Sequence, residues 1–166
     1  MIMIPIDNSY YLQYIINMNY FQLPYGAQLL IWTSRVEFYG SCRTKPNKVE
    51  LIEEAYNKAG IYNGNSLLRP FLKFLKSNDS FELQAICSRS INQSEIDLIN
   101  CIDTYKTCSE VGNQFIEMWS LFQEENSFSS CAKKLAGAFK RVNLETKLSF
   151  SNIQIPRNNY ISSSLH

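Results

Sequence analysis

Histidine is almost missing from this chain: the single copy is His166, the terminal residue. No imidazole therefore lies within the body of the sequence to act as base for a serine or cysteine nucleophile, or to join cysteines around zinc. Cysteine numbers five, an odd count that argues against a disulfide framework, and no two form a Cys-x-x-Cys pair. The runs G-x-x-x-x-G-K-[ST], G-x-G-x-x-G, G-x-S-x-G and H-E-x-x-H do not occur. Their absence removes the phosphate-loop, dinucleotide, nucleophile-elbow and zincin readings. Charge is scarce as well. Charged residues make up 19% with a net charge of +1, so no global field marks the chain for nucleic acid or an anionic membrane. Apolar runs are short, and Leu29-Leu30-Ile31-Trp32 falls far below the roughly 20 residues of a membrane span. The opening MIMIPIDNSYY lacks a basic residue and carries Asp7, unlike a secretory signal. The expected location is the cytoplasm, where thiols stay reduced.

What is present is enough for a core. Apolar residues are 45% of 166, which suits one globular domain. Ten Tyr and ten Phe stand beside abundant Asn and Ser, a usage that codons of an A/T-rich genome explain.

Periodicity and punctuation place the elements. "SYYLQYIIN" predicts a first helix capped by Asn8 or Ser9 and running to about Asn17, with a break at Pro24 and Gly26. "AQLLIWTSRVEFYG" sets Leu29, Trp32, Val36 and Tyr39 on one stripe with Leu30, Ile31 and Phe38 beside it. So wide an apolar face predicts a central helix. In "TKPNKVELIEEAYNKAG", Pro46 falls in the first turn, Val49, Ile52 and Tyr56 face inward, Glu54 and Lys58 pair, and Gly60 marks the stop. "NGNSLLRPFLKFLKSND" is helical through Leu68, Phe71, Leu72 and Leu75, and Pro70 predicts a start between Ser66 and Arg69. "SFELQAIC" and "TKLSFSNIQI" alternate at the strand period, predicting a small two- or three-stranded β ribbon. "SEVGNQFIEMWSLFQEE" predicts a helix burying Val111, Phe115, Met118, Trp119 and Phe122, and "SSCAKKLAGAFKRVN" one burying Cys131, Leu135, Ala138, Phe139 and Val142. The expected fold is mainly α: a single domain over 1–150, a compact bundle of about six helices with that ribbon, then a polar tail over 151–166.

"CSRSINQSEIDLINCIDTYKTC" holds three of the cysteines. Asn92 with Glu95 three residues on is a capping box, predicting a helix from about Gln93 to Thr107. Leu98, Cys101, Ile102, Tyr105 and Cys108 then share one stripe, so both thiols are expected in the core. Seven helical residues span about 10.5 Å, beyond the roughly 7 Å reach of a disulfide. Neither metal nor cofactor is expected there.

Charge is distributed unevenly. Residues 92–125 hold seven acidic side chains and one basic, residues 126–147 five basic and one acidic, and residues 33–78 eight basic and four acidic. Lys133 with Lys140 and Lys134 with Arg141 are i,i+7 pairs, a basic helix face able to meet phosphate or an acidic partner. Tyr10, Tyr11 and Tyr14 crowd together with Tyr20, Phe21 and Tyr25; such rings suit a protein interface. No basic residue precedes Arg35, so attraction to anionic lipid is missing from this segment.

The Leu29-Leu30-Ile31-Trp32 run, Arg35 and the Cys87-to-Glu95 segment before a helix carry a resemblance to small uncharacterised helical proteins of alphaproteobacteria. It spans roughly residues 25–148, implies a compact helical domain of bacterial origin and transfers no site. The functional expectation is a non-catalytic protein-interaction, accessory or regulatory subunit. Its partner-binding candidates are Tyr10, Tyr11, Tyr14, Lys133, Lys134, Lys140 and Arg141. The alternative is a nucleic-acid-associated regulator using the basic face of the last helix, and an enzyme built from scattered polar residues ranks third.

Overall fold

A computed structural model describes residues 18–40, 47–120 and 125–148. A one-turn 3-10 helix, Tyr20–Gln22, is followed by α1 (Tyr25–Tyr39), α2 (Lys48–Lys58), α3 (Gly64–Lys76), α4 (Gln93–Thr107), α5 (Ser109–Trp119) and α6 (Glu125–Arg141). The chain is mainly helical, as expected. The helix expected over Ser9–Asn17 and the tail over 151–166 lie outside the described residues.

Local chemistry sets several helix ends. The Asn47 side chain accepts from Val49 N–H to open α2, and α2 stops at Gly60, whose φ of +82° glycine adopts without a Cβ penalty. The Glu54–Lys58 pair closes at 2.7 Å on its surface. At α4, Asn92 and Glu95 form the reciprocal box, each side chain accepting from the other's backbone N–H.

α3 starts earlier than Pro70 suggested, at Gly64, and carries the proline inside its second turn. Tertiary packing overrides the breaker here: Leu68, Phe71, Leu72 and Leu75 are all fully buried. Gly64 itself lets α3 press onto α2, because a Cβ there would overlap the Tyr56 ring.

The core lies between two groups of helices. α1 packs on α2, α3 and α4, while α6 packs on α3, α4 and α5. α1 is the central helix that its composition predicted, buried from Gly26 to Glu37 on nearly every side. Its expected stripe is displaced, however, since Trp32 is half-buried and Tyr39 exposed. Aromatic rings join the two groups: Phe128 on α6 stacks on Phe74 at 4.9 Å and meets Phe71 at 5.4 Å, and Trp119 reaches both Phe81 and Phe128.

Three expectations need correction. Among the described residues there is no strand, only an isolated antiparallel bridge between Asn19 and Ser90. Residues 81–85 are extended, but their amides go to the first turn of α4: Glu82 N–H donates to Ser94 Oγ and Gln84 N–H to Glu95 Oε1. The other half of the expected ribbon lies in part outside the described residues. Its described start is tied to α4 instead, Lys106 Nζ donating to Leu144 O and Thr146 Oγ1 to Asp103 Oδ1.

The second correction concerns α5. Val111 and Met118 are exposed, Phe115 is half-buried, and the buried face is Gly112, Ile116 and Trp119. Gly112 rotates the helix: it sits against the Tyr105 ring, where a Cβ would come within 2.7 Å. Phe122 lies outside the described residues. On α6, Leu135, Ala138 and Phe139 are buried as expected, while Cys131, and Val142 just past the helix end, are only half-buried.

The third concerns the cysteines. Cys101 is fully buried beside Leu98, Ile102 and Tyr105, whereas Cys108 is exposed. Cys108 has left the helical stripe because it forms the junction, closing α4 and opening α5 with φ −146° and ψ 107°.

Candidate functional sites

Three places combine chemistry with access, and a fourth is a structural clamp. In the clamp, the Arg35 guanidinium is buried against Glu95, with Nε to Oε1 at 2.7 Å and Nη2 to Oε2 at 3.0 Å. Nη1 donates to Ser88 O and Nη2 also to Ser90 O. Glu95 further accepts from Gln84 and Asn92 N–H. The Tyr20 ring covers the guanidinium at 5.4 Å. Every direction of this pair is occupied, so its chemistry is spent on pinning the 81–92 segment to α1. The same cover shields Tyr20, whose hydroxyl pKa burial raises against the opposing pull of Arg35.

The first accessible place is a groove of about 450 Å³ between the 3-10 turn, α1 and α2. Tyr20, Tyr25, Trp32, Leu29 and Leu51 line it, and the Glu54–Lys58 pair edges it. Phe21 and Tyr25 stand out at 65% and 57% exposure. Gln28 braces the wall, its Nε2 donating to Leu23 O, while Tyr20 Oη donates to Gln28 O. The groove continues the tyrosine-rich segment of the sequence, whose Tyr10, Tyr11 and Tyr14 lie outside the described residues.

The second is the outer face of α6. Lys133, Lys134, Lys140 and Arg141 are all exposed there, on the arc opposite Phe128, Ala132, Leu135 and Phe139. None of the four joins an ion pair among the described residues.

The third is a basic cleft of about 650 Å³ formed by the end of α1, the start of α2 and one side of α3. Glu37, Lys48, Asn65, Ser66, Arg69, Lys73 and Lys76 line it. Glu37 is 4% exposed, and its Oε1 faces Lys48 Nζ at 3.4 Å, Arg69 Nε at 3.4 Å and Lys76 Nζ at 3.5 Å. The positive balance of residues 33–78 is visible in the sequence but this convergence is not, because Glu37 and Arg69 meet only through the packing of α1 on α3.

Buried thiol chemistry is muted. Burial pushes the Cys101 thiol far up, and Asp97 adds to the effect, so Cys101 is a core atom and a poor nucleophile. Among the described residues no cluster of three His, Cys, Asp or Glu side chains is arranged to hold a metal ion, and no helix is long and apolar enough to cross a membrane. No family model, no curated protein and no solved structure matches this chain.

Proposed function

We propose that the chain works by binding rather than by turnover, as a cytoplasmic accessory or regulatory module that presents the aromatic groove to a partner protein. The carrying observation is the groove itself, with Tyr20, Tyr25 and Trp32 in its wall and Phe21 exposed beside it. A groove of about 450 Å³ admits one or two large apolar side chains, the size of a typical interface anchor. Tyr and Trp provide broad contact area at low entropic cost, and an exposed Phe beside them is expensive to leave in water.

Photocrosslinking in the native host tests this reading. A crosslinker placed at Tyr25 yields a discrete adduct, whereas one at Tyr62, 77% exposed on the α2–α3 loop, yields none. Trp32→Ala in the Tyr25-labelled chain abolishes the adduct. Equal adducts from both positions would show that the groove has no preference.

A second reading is a nucleic-acid-associated regulator, favoured by the exposure of Lys133, Lys134, Lys140 and Arg141 on one arc of α6. It predicts oligonucleotide binding that weakens steeply with salt. Fluorescence anisotropy of Lys133→Glu/Lys140→Glu decides it: binding that survives the reversal, or that ignores salt, removes this reading.

A further inference from the structure

The basic cleft differs from the other surfaces in how its polar atoms are satisfied. Two buried side-chain atoms have no hydrogen-bond partner among the described residues, Glu37 Oε2 and Asn65 Oδ1. Both residues line this one cleft, and both are more than nine-tenths buried. Buried acceptors without donors are uncommon and costly. Their coincidence in a single cleft marks it as built for something that brings donors.

The cations show what else that something carries. Lys48, Arg69, Lys73 and Lys76 line the cleft against the single carboxylate of Glu37. The three contacts to Glu37 Oε1, at 3.4, 3.4 and 3.5 Å, are longer than good charge-assisted hydrogen bonds. Lys48 and Lys76 divide their ammonium groups between that carboxylate and Glu37 O, at 3.3 and 3.0 Å. Lys76 also lies 5.2 Å from the Phe38 ring centroid. Lys73 has no hydrogen bond or ion pair among the described residues, and the terminal nitrogens of Arg69 make no hydrogen bond there. The amide of Asn65, at the start of α3, is already taken by Glu53 Oε1 at 3.1 Å. The positive character of the cleft therefore comes from side chains and not from the helix end.

We infer that this cleft is a binding site for a hydroxyl-bearing phosphate monoester of sugar-phosphate size. The phosphate sits among Arg69, Lys73 and Lys76, where three cationic side chains spread over about two turns of α3 can grip its oxygens. Drawing Lys48 and Lys76 toward that dianion uncovers Glu37, and the ligand's hydroxyls then donate to Glu37 Oε2 and Asn65 Oδ1. A nucleotide base has no place in this arrangement. The described lining holds no aromatic ring for stacking, and Pro70 is its one apolar residue. The volume of about 650 Å³ falls within the usual range of small-ligand sites.

Isothermal titration calorimetry with ribose 5-phosphate, inorganic phosphate and ribose tests the assignment on the full chain. Ribose 5-phosphate binds at one site and more tightly than inorganic phosphate, and ribose does not bind. Lys73→Ala and Arg69→Ala, at exposed positions that leave the core intact, each weaken ribose 5-phosphate by about tenfold. Asn65→Ala narrows the difference between ribose 5-phosphate and inorganic phosphate without closing it, because Glu37 Oε2 still accepts a hydroxyl. Lys133→Ala/Lys140→Ala on α6 changes nothing, which separates this site from the other basic face. No heat from ribose 5-phosphate at millimolar concentration, or affinity indifferent to Lys73→Ala and Arg69→Ala, overturns the site. Equal affinity for ribose 5-phosphate and inorganic phosphate in the unmodified chain overturns the role given to the hydroxyls.

Discussion

At the scale of the residue, the Arg35–Glu95 pair gives the sharpest energetic contrast. Removing one partner of a buried ion pair leaves an uncompensated charge, at a cost of about 3–5 kcal/mol. Glu95→Ala is therefore expected to lose about that much stability in urea unfolding followed by circular dichroism. Replacing both partners, as in Arg35→Met/Glu95→Leu, removes the stranded charge and recovers much of the loss. Recovery stays incomplete because Gln84 and Asn92 N–H, which donate to Glu95, are left without acceptors. A double variant no better than Glu95→Ala would contradict this account. The cysteines give a second contrast. Cys108 is exposed and Cys101 fully buried with its thiol held protonated by burial. Iodoacetamide should modify Cys108 in the native protein and reach Cys101 only after unfolding, as peptide mass spectrometry will show.

At the scale of the element, two glycines on different helices should respond oppositely to one substitution. Glycine to alanine inside a helix gains about 1 kcal/mol of propensity. At Gly137 the new methyl meets only the flexible Arg141 Nη1 at 3.9 Å, so Gly137→Ala is expected to stabilise α6 by up to about 1 kcal/mol. At Gly112 it would stand 2.7 Å from the buried Tyr105 ring, which Asn113 holds through a 2.7 Å hydrogen bond. Overpacking costs about 1–3 kcal/mol and outweighs the propensity, so Gly112→Ala is expected to destabilise. Thermal melts of the two variants check the sign. α5 also shows why hydrophobic periodicity points to a different face from the one it buries. Val111, Phe115, Met118 and Trp119 make a plausible apolar stripe, yet a residue without a side chain, Gly112, decides which side approaches α4. Hydrophobic periodicity assigns glycine no face.

At the scale of the whole molecule, the segment after α6 closes the structure. Leu144 is buried, Thr146 is fully buried, and Lys106 reaches Leu144 O at 2.7 Å and Thr146 Oγ1 at 3.0 Å. Gly26 of α1 lies so close that a Cβ would meet Glu145 O. Thr146→Val keeps the shape but removes two part-buried hydrogen bonds, from Lys106 Nζ and to Asp103 Oδ1, at a cost of about 1–3 kcal/mol together. The melting temperature should fall by several degrees, and an unchanged value would mean that water already serves these groups. The alternation that suggested a strand here and at 81–85 was real in the sequence. It marks extended chain with one buried side, and helix α4 supplies the hydrogen-bonding partners that a ribbon would have supplied.

Most helices and many of their ends are set locally: the Asn92–Glu95 box, the Gly60 stop and the Glu54–Lys58 pair depend on groups within four residues of one another. The sequence by itself also determines the buried stripes of α3 and most of that of α4, where apolar side chains repeat without a competing glycine or junction. Helix packing, in contrast, brings Arg35 to Glu95, takes Cys108 out of the core at a helix junction, and gathers Lys48, Arg69 and Lys76 around Glu37. Those contacts join residues from 11 to 60 positions apart. Their geometry depends on how helices pack, and no local spacing encodes it.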